Sequence, residues 1–396
     1  MTVYSQTLGL ALILLLGYWG ARLVSKAKMP MVVGYILVGL VLSPSLLHVI
    51  PQTLNDELEI AKILGLGVIA LLIGGELEIK KLRKLGKAIM GITVAQVIGT
   101  FVAVFIATFY LLKLPLGMSL LLGAMATATA PAGTVAVIRE YKAKGSFTSA
   151  LLGVVAIDDA VCIIFFGLTS AIVAVLHSGT ALQLHNLLEP LLELSGSLIL
   201  GIITGLLSCF FLRHTTDRHH KVVLLVGIAL LNSGIANLYN LSPLLVNMVS
   251  GFMIANIYPK PGEMNHLENI ELPIYIVFFV LAGASLHLDV LLDNWIWAAV
   301  YIIARGIGKI GGSYVGAHFS GAPQNVKKYL GCALIPKAGV TIGLLMIVQG
   351  RFPEMAMPIT AIELAAVTIC ELIGPMGARY ALISAGEIQL NAARQN

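Results

Sequence analysis

The sequence predicts an all-α polytopic membrane protein of about thirteen transmembrane helices, built as inverted-topology repeats with two crossed, broken helices. Three observations predict it. Of the 396 residues, 58% are hydrophobic and only 11% charged, whereas soluble domains carry about 25% charged residues. Apolar runs long enough to cross ~30 Å of hydrocarbon recur from end to end. Two of those runs are interrupted by proline and glycine at matching places in the two halves of the chain. A membrane β-barrel would instead show alternating segments of ~10 residues, and the sequence has none.

The apolar runs fall near residues 6–24, 30–47, 59–77, 87–112, 116–138, 147–176, 187–212, 221–239, 242–258, 272–288, 294–318, 328–349 and 358–383. Connections after odd-numbered runs hold Arg22, Lys26, Lys28, Lys80, Lys81, Arg83, Lys84, Lys87, Arg139, Lys142, Lys144, Arg213, Arg218, Lys221, Lys260, Lys327, Lys328, Arg379 and Arg394. The opposite side holds only Lys62, Lys113 and Arg351. Cytoplasmic loops collect Lys and Arg, so the N-terminus is expected outside and the C-terminus in the cytoplasm. The first run lacks the basic leader of a signal peptide, because the first positive charge, Arg22, stands at its far end. A net charge of +5 spread over such loops gives no reason to expect nucleic acid as a partner. Cys162, Cys209, Cys332 and Cys370 lie singly, without CxxC spacing. They read as small buried hydrophobes, and no metal or other cofactor is expected from them.

The first broken helix contains ATATAPAGTVAV, with Pro131 at mid-span beside Thr127 and Thr129. Proline removes a backbone donor and frees the carbonyl four residues earlier, that of Thr127. The second contains ALIPKAGVTIG, with Pro336 and Lys337 at its middle. The two runs lie seven spans apart and so cross in opposite directions, which points to an inverted-repeat transporter. Spans 1–3 (residues 1–80) and 8–10 (221–290) are expected to form one bundle. Spans 4–6 (81–178) and 11–13 (291–385) are expected to form a core bundle. Span 7 (179–220) links the halves, and residues 386–396 make a short cytoplasmic tail. Where the broken helices meet, a basic side chain such as Lys337 is expected to offset their negative C-terminal ends.

Charged residues inside apolar runs are the unusual content: Asp158, Asp159, Arg305, Lys309 and Lys337. A charge at a bilayer centre costs roughly 2.5–3.5 kcal/mol on insertion scales, so such residues mark function by default. Neighbours on a helix point about 100° apart. Asp158 and Asp159 therefore cannot face one group; one can meet a basic residue while the other faces a water-filled cavity. A carboxylate, threonine oxygens and freed carbonyls suit a hard monovalent cation, and a proton competes for the same carboxylate. Asp159, Asp158 and Thr129 are the expected transient ion ligands. Lys309 is the expected charge partner, with Arg305 as an alternative. Gly308, Gly312 and Gly316 let a neighbouring helix approach that face closely. Glu363 and Glu371 occupy the places in the last span that the aspartates occupy in the sixth. The nine histidines lie at span ends or in loops, and His214, His219 and His220 read as part of a solvated loop.

At these residues the sequence resembles the monovalent cation:proton antiporters, specifically the second cation–proton antiporter family. The resemblance rests on PMVVGYILVGLVLSPS at 30–45, LLIGGELEIKKLRK at 71–84, TATAPAGTVAVIREYKAKG at 127–145, AIDDA at 156–160, ARGIGKIGGSYVGA at 304–317 and LIPKAGVTIGL at 334–344. It implies that Asp159 binds cation or proton and that Asp158 opens the double-aspartate signature of electrogenic sodium/proton exchangers. It implies Lys309 as the partner lysine, and Thr129, Ala130 and Pro131 as the unwound crossing. It further implies a homodimer in a bacterial plasma membrane, with spans 1–3 and 8–10 as the dimerisation bundle and the other, core bundle working by elevator-type exchange of sodium (or lithium) for protons. Lys337 departs from the family pattern, which usually has a neutral residue there.

The nearest alternative is a potassium/proton antiporter of the glutathione-gated efflux type lacking its regulatory domain. An intramembrane enzyme is not expected. Asp158-Asp159 runs on into Ala160, Val161 and Cys162 without a second acidic cluster, and HExxH is absent.

Overall fold

In hydrocarbon the peptide groups of an apolar run find partners only along their own helix, and the chain folds accordingly. The computed structural model describes residues 6–27, 29–77, 79–178, 184–258, 267–286, 292, 294–337 and 339–388, and no strand occurs among them. Lys28, Lys260, Arg394 and tail residues 389–396 lie outside the described residues. The helices are α1 (Gln6–Lys26), α2 (Met31–Leu42), α3 (Gln52–Glu57), α4 (Glu59–Glu76), α5 (Ile79–Ile106), α6 (Leu116–Met125), α7 (Pro131–Glu140) and α8 (Ser146–Ser178). They continue as α9 (Leu184–His214), α10 (Arg218–Leu238), α11 (Pro243–Ile257), α12 (Glu268–Ala284), α13 (Trp295–Phe319), α14 (Gln324–Tyr329), α15 (Gly339–Arg351) and α16 (Pro353–Ser384).

Among the described residues, six helices are long and apolar enough to cross a membrane: α1, the 86–111 stretch, α8, α9 from Leu192, α10 and α16. Others are shorter than their apolar runs. The run at 30–47 is helical only over Met31–Leu42, because Ser43 takes an extended conformation just before Pro44. That is the restriction proline places on its predecessor.

The chain gathers into two compact units, Met1–Arg83 with Leu192–Ser285 and Lys84–Leu191 with Leu286–Asn396. Most of α9, the helix expected to link the bundles, falls in the first. That unit is knit by glycines that let backbones touch. A Cβ on Gly39 would lie 2.0 Å from the Val280 carbonyl, and one on Gly251 2.1 Å from that of Leu71. Asn232 donates to Asn247 (3.1 Å) and Asn247 to Ser233 (3.0 Å), so both buried amide groups find an acceptor.

The second unit brings α5 against α13 in the same way. A Cβ would meet Thr100 Cα at 2.5 Å from Gly308, the Ala95 carbonyl at 2.6 Å from Gly312, and the Gly91 carbonyl at 2.4 Å from Gly316. This close approach sets the neighbouring side chains of α5 and α13 at one depth.

Candidate functional site

The site is built where two helices break. α6 stops at Met125 and α7 starts at Pro131, whose missing N–H falls harmlessly at a helix start. A short 3-10 turn (Leu330–Leu334) precedes the second break, and α15 resumes at Gly339. The breaks touch: Ala130 N–H donates to the Pro336 carbonyl at 2.9 Å, and the Thr134 hydroxyl to the Ala333 carbonyl at 2.9 Å.

Tyr301, Arg305 and Lys309 stand at i, i+4 and i+8 of α13 and form one buried stripe. Arg305 serves both breaks. It donates to the carbonyls of Ala126 (2.9 Å), Ala128 (2.7 Å) and Ile335 (2.6 Å), and more weakly to Leu334 (3.5 Å) and Pro336 (3.4 Å). The negative helix ends are thus offset by Arg305, and the expectation that Lys337 would do so is corrected. A planar fork of five donors suits diverging carbonyls better than a point ammonium. It also follows that Arg305 is not the partner of Asp158.

Lys309 is. Its Nζ lies 3.2 Å from Asp158 Oδ2 and donates to the Thr127 carbonyl and the Thr129 hydroxyl at 2.6 Å each. The Thr127 carbonyl is the one Pro131 sets free. The Thr129 hydroxyl in turn donates to Asp158 Oδ2 at 2.5 Å, and Gln96 Nε2 of α5 donates to Oδ1. Both oxygens of Asp158 are therefore engaged, and the carboxylate is fully buried. Asp159 is only 4% exposed, yet neither of its oxygens has a hydrogen-bond partner among the described residues. Two adjacent acids thus have opposite surroundings, as their divergence on the helix requires.

Lys337 has its own acid. It pairs with Glu363 of α16 and donates to the Tyr301 hydroxyl (2.5 Å), while Tyr301 donates to Glu363 Oε1 at 2.6 Å. All three side chains are fully buried. Asp158 and Glu363 stand the same number of residues after Pro131 and Pro336, so each broken helix is followed by an acid that holds a lysine. Only the first repeat adds a second, unpartnered acid beside the paired one. Glu371 accepts from the backbone N–H of Lys337, and its Oε1 has no partner among the described residues.

Sequence reasoning singled out Asp158, Asp159, Thr127, Thr129, Pro131, Arg305, Lys309, Pro336 and Lys337; of these, Asp158, Thr127, Thr129 and Lys309 form one hydrogen-bonded set, Arg305 reaches the Pro336 carbonyl, and Lys337 belongs to a separate pair with Glu363. It missed Gln96 and Tyr301. A glutamine inside GITVAQVIGT was the available signal for the first; a lone tyrosine in an apolar run carries none. Among the described residues no three His, Cys, Asp or Glu side chains cluster as a resident metal needs.

This all-helical membrane fold with two interrupted helices belongs to the class of monovalent cation:proton antiporters, as its family and relatives show. Residues 11–381 match the family described as the transmembrane sodium/hydrogen exchanger, and the chain belongs to that family. It is 24% identical over 335 residues to the ammonium/H(+) antiporter subunit AmhT of Alkalihalophilus pseudofirmus, covering 79% of each chain. It is 24% identical over 352 residues to the Na(+)/H(+) antiporter of Enterococcus hirae, covering 86% of this chain and 88% of that one. The fold is similar to that of the sodium proton antiporter of Methanocaldococcus jannaschii solved at pH 8. There the TM-score is 0.66 at 20% identity, over 96% of this chain and 94% of that one.

Proposed function

We propose that the chain exchanges sodium, or lithium, for protons, and that Asp159 is the group the two ions take in turn. The observation that carries this is the contrast within the aspartate pair. Asp158 is saturated by Gln96, Thr129 and Lys309, whereas Asp159 is buried with both oxygens free. A buried carboxylate without donors is held at a desolvation cost, and a proton or a cation each relieves it. Both cannot occupy it together, which is what couples the two fluxes.

In this reading Asp159 releases its proton as a cation arrives, and the Asp158–Lys309 pair releases a second. One positive charge then enters per cycle as two protons come in and one cation leaves. Access alternates by an elevator-type shift of the bundle that carries the aspartates. The other bundle holds a homodimer in the lipid of a bacterial plasma membrane, with the N-terminus outside and the C-terminus cytoplasmic, as the loop charges favour. The test is proton flux in proteoliposomes driven by a sodium gradient. Asp159→Asn is expected to abolish it, and normal flux from that variant overturns the assignment. The same assay with lithium, potassium and ammonium sets the cation. A response to potassium alone replaces the sodium reading.

A further inference from the structure

The start of α8 is completed by a residue from the far end of the chain. Gly145, which precedes α8, has no side chain to cap the helix, and the first amides of any helix lack intrahelical partners. Glu387 supplies the acceptor. After α16 ends at Ser384, Gly386 takes a left-handed conformation (φ 76°), and Glu387 meets the first turn of α8. Its carboxylate accepts from the N–H of Phe147 (2.8 Å), the N–H of Thr148 (2.7 Å) and the Thr148 hydroxyl (2.7 Å). An anion at a helix N-terminus also gains from the helix dipole. The seat is shaped for it, because a Cβ on Gly145 would lie 2.1 Å from Glu387 Oε1. A second contact ties α16 to the connection that leads from α7 into α8: the Arg379 guanidinium stands over the Tyr141 ring at 5.7 Å.

The Glu387 contacts join the helix of Asp158 and Asp159 to the end of the helix of Glu363 and Glu371, and the Arg379 contact holds the connection leading into it. A serine or aspartate at 145 would cap α8 locally. The chain instead has glycine there and brings the cap from α16. We propose that Glu387 is a positioning residue for ion exchange, tying α16 to the start of α8 so that the two acid-bearing helices move as one piece. This rests on the reading of Asp159 given above.

The experiment uses purified full-length protein and compares wild type, Glu387→Ala and the Glu387→Ala/Gly145→Asp double variant. The double variant restores a cap to α8 without restoring the tie to α16, and removal of Glu387 opens the space that its new side chain needs. Hydrogen exchange at Phe147 and Thr148 is expected to quicken about fivefold in Glu387→Ala, the usual loss of a helix cap, and to slow again in the double variant. Turnover in proteoliposomes, per folded molecule, is expected to fall several-fold in both, with the cation KM unchanged, because Asp158 keeps its own three donors. Unchanged amide exchange in Glu387→Ala overturns the proposal. So does unchanged turnover, or turnover that recovers in the double variant, since local capping would then account for everything. Failure of the Asp159 reading shows separately, as transport by Asp159→Asn, and leaves these comparisons standing.

Discussion

A buried ammonium has three protons to place, and Lys309 places all of them: on Asp158, on the Thr127 carbonyl and on the Thr129 hydroxyl. Lys337 is held by fewer groups, Glu363 and Tyr301, in a region with no exposure. Removing one member of such a pair strands a charge and costs about 3–5 kcal/mol, whereas replacing both with apolar side chains is often neutral. Lys337→Met and Glu363→Met are each expected to lower the midpoint of thermal unfolding in detergent sharply. The double variant is expected to return most of the way. A double variant less stable than either single one refutes the pairing as an isolated unit. The residue types at this site were legible because charge in an apolar run stands out. Their partners were not, since nothing local tells Lys309, Arg305 and Lys337 apart as mates for Asp158. That choice depends on which side chains the α5–α13 contact and the two breaks bring to one depth, and these come from distant parts of the chain.

At the level of elements, the breaks were legible because proline acts locally, through its missing donor and its predecessor's restricted backbone. The α5–α13 contact was half legible: spacing identified a small-residue face, and only the structure shows which backbone it meets. Gly312 and Gly311 separate the two aspects. A Cβ on Gly312 would press on the Ala95 carbonyl at 2.6 Å and on Gln96 Cα at 2.7 Å, whereas one on Gly311 meets nothing within 4 Å. Gly312→Ala is expected to destabilise by about 1–3 kcal/mol through overpacking and to impair transport, because it displaces the donor to Asp158. Gly311→Ala is expected to stabilise by roughly 0.5–1 kcal/mol through the helix-interior cost of glycine. Equal effects in an unfolding titration contradict the packing. The start of α10 makes a pH-dependent case. The backbone N–H of His220, with that of His219, holds the Asp217 carboxyl below its ordinary value. A depressed folded value means stabilisation that is present above the unfolded value, about 4, and lost as pH falls through the folded one. The stability gap between wild type and Asp217→Asn is therefore expected to narrow in acid below that pH. A gap that widens there excludes the cap.

For the whole molecule, the repeats are alike in their anchors and unlike in their free acids. Each break is followed at equal distance by an acid holding a lysine, yet residue 364, after Glu363, is leucine where Asp159 follows Asp158. Among the described residues each half has a closed pair, and only Asp159 leaves both carboxylate oxygens unpartnered beside one, which suits a carrier with a single cation site. Charge then depends on how many protons that cation displaces. If Asp159 and the Asp158–Lys309 pair each give one up, a cycle moves one net charge, and membrane potential must enter the balance. At equal pH on both sides, a tenfold cation gradient is then nulled by about 59 mV, the tenfold equivalent for one charge. Current recorded from proteoliposomes as the clamped potential is varied locates that null. If only Asp159 exchanges its proton, transport is electroneutral and no potential stops it. A null at about 59 mV that vanishes when Lys309 is replaced by glutamine, with cation exchange retained, assigns the second proton to the pair. Persistence of the null in Lys309→Gln removes the pair from the proton count and leaves Asp159 as its only assigned carrier.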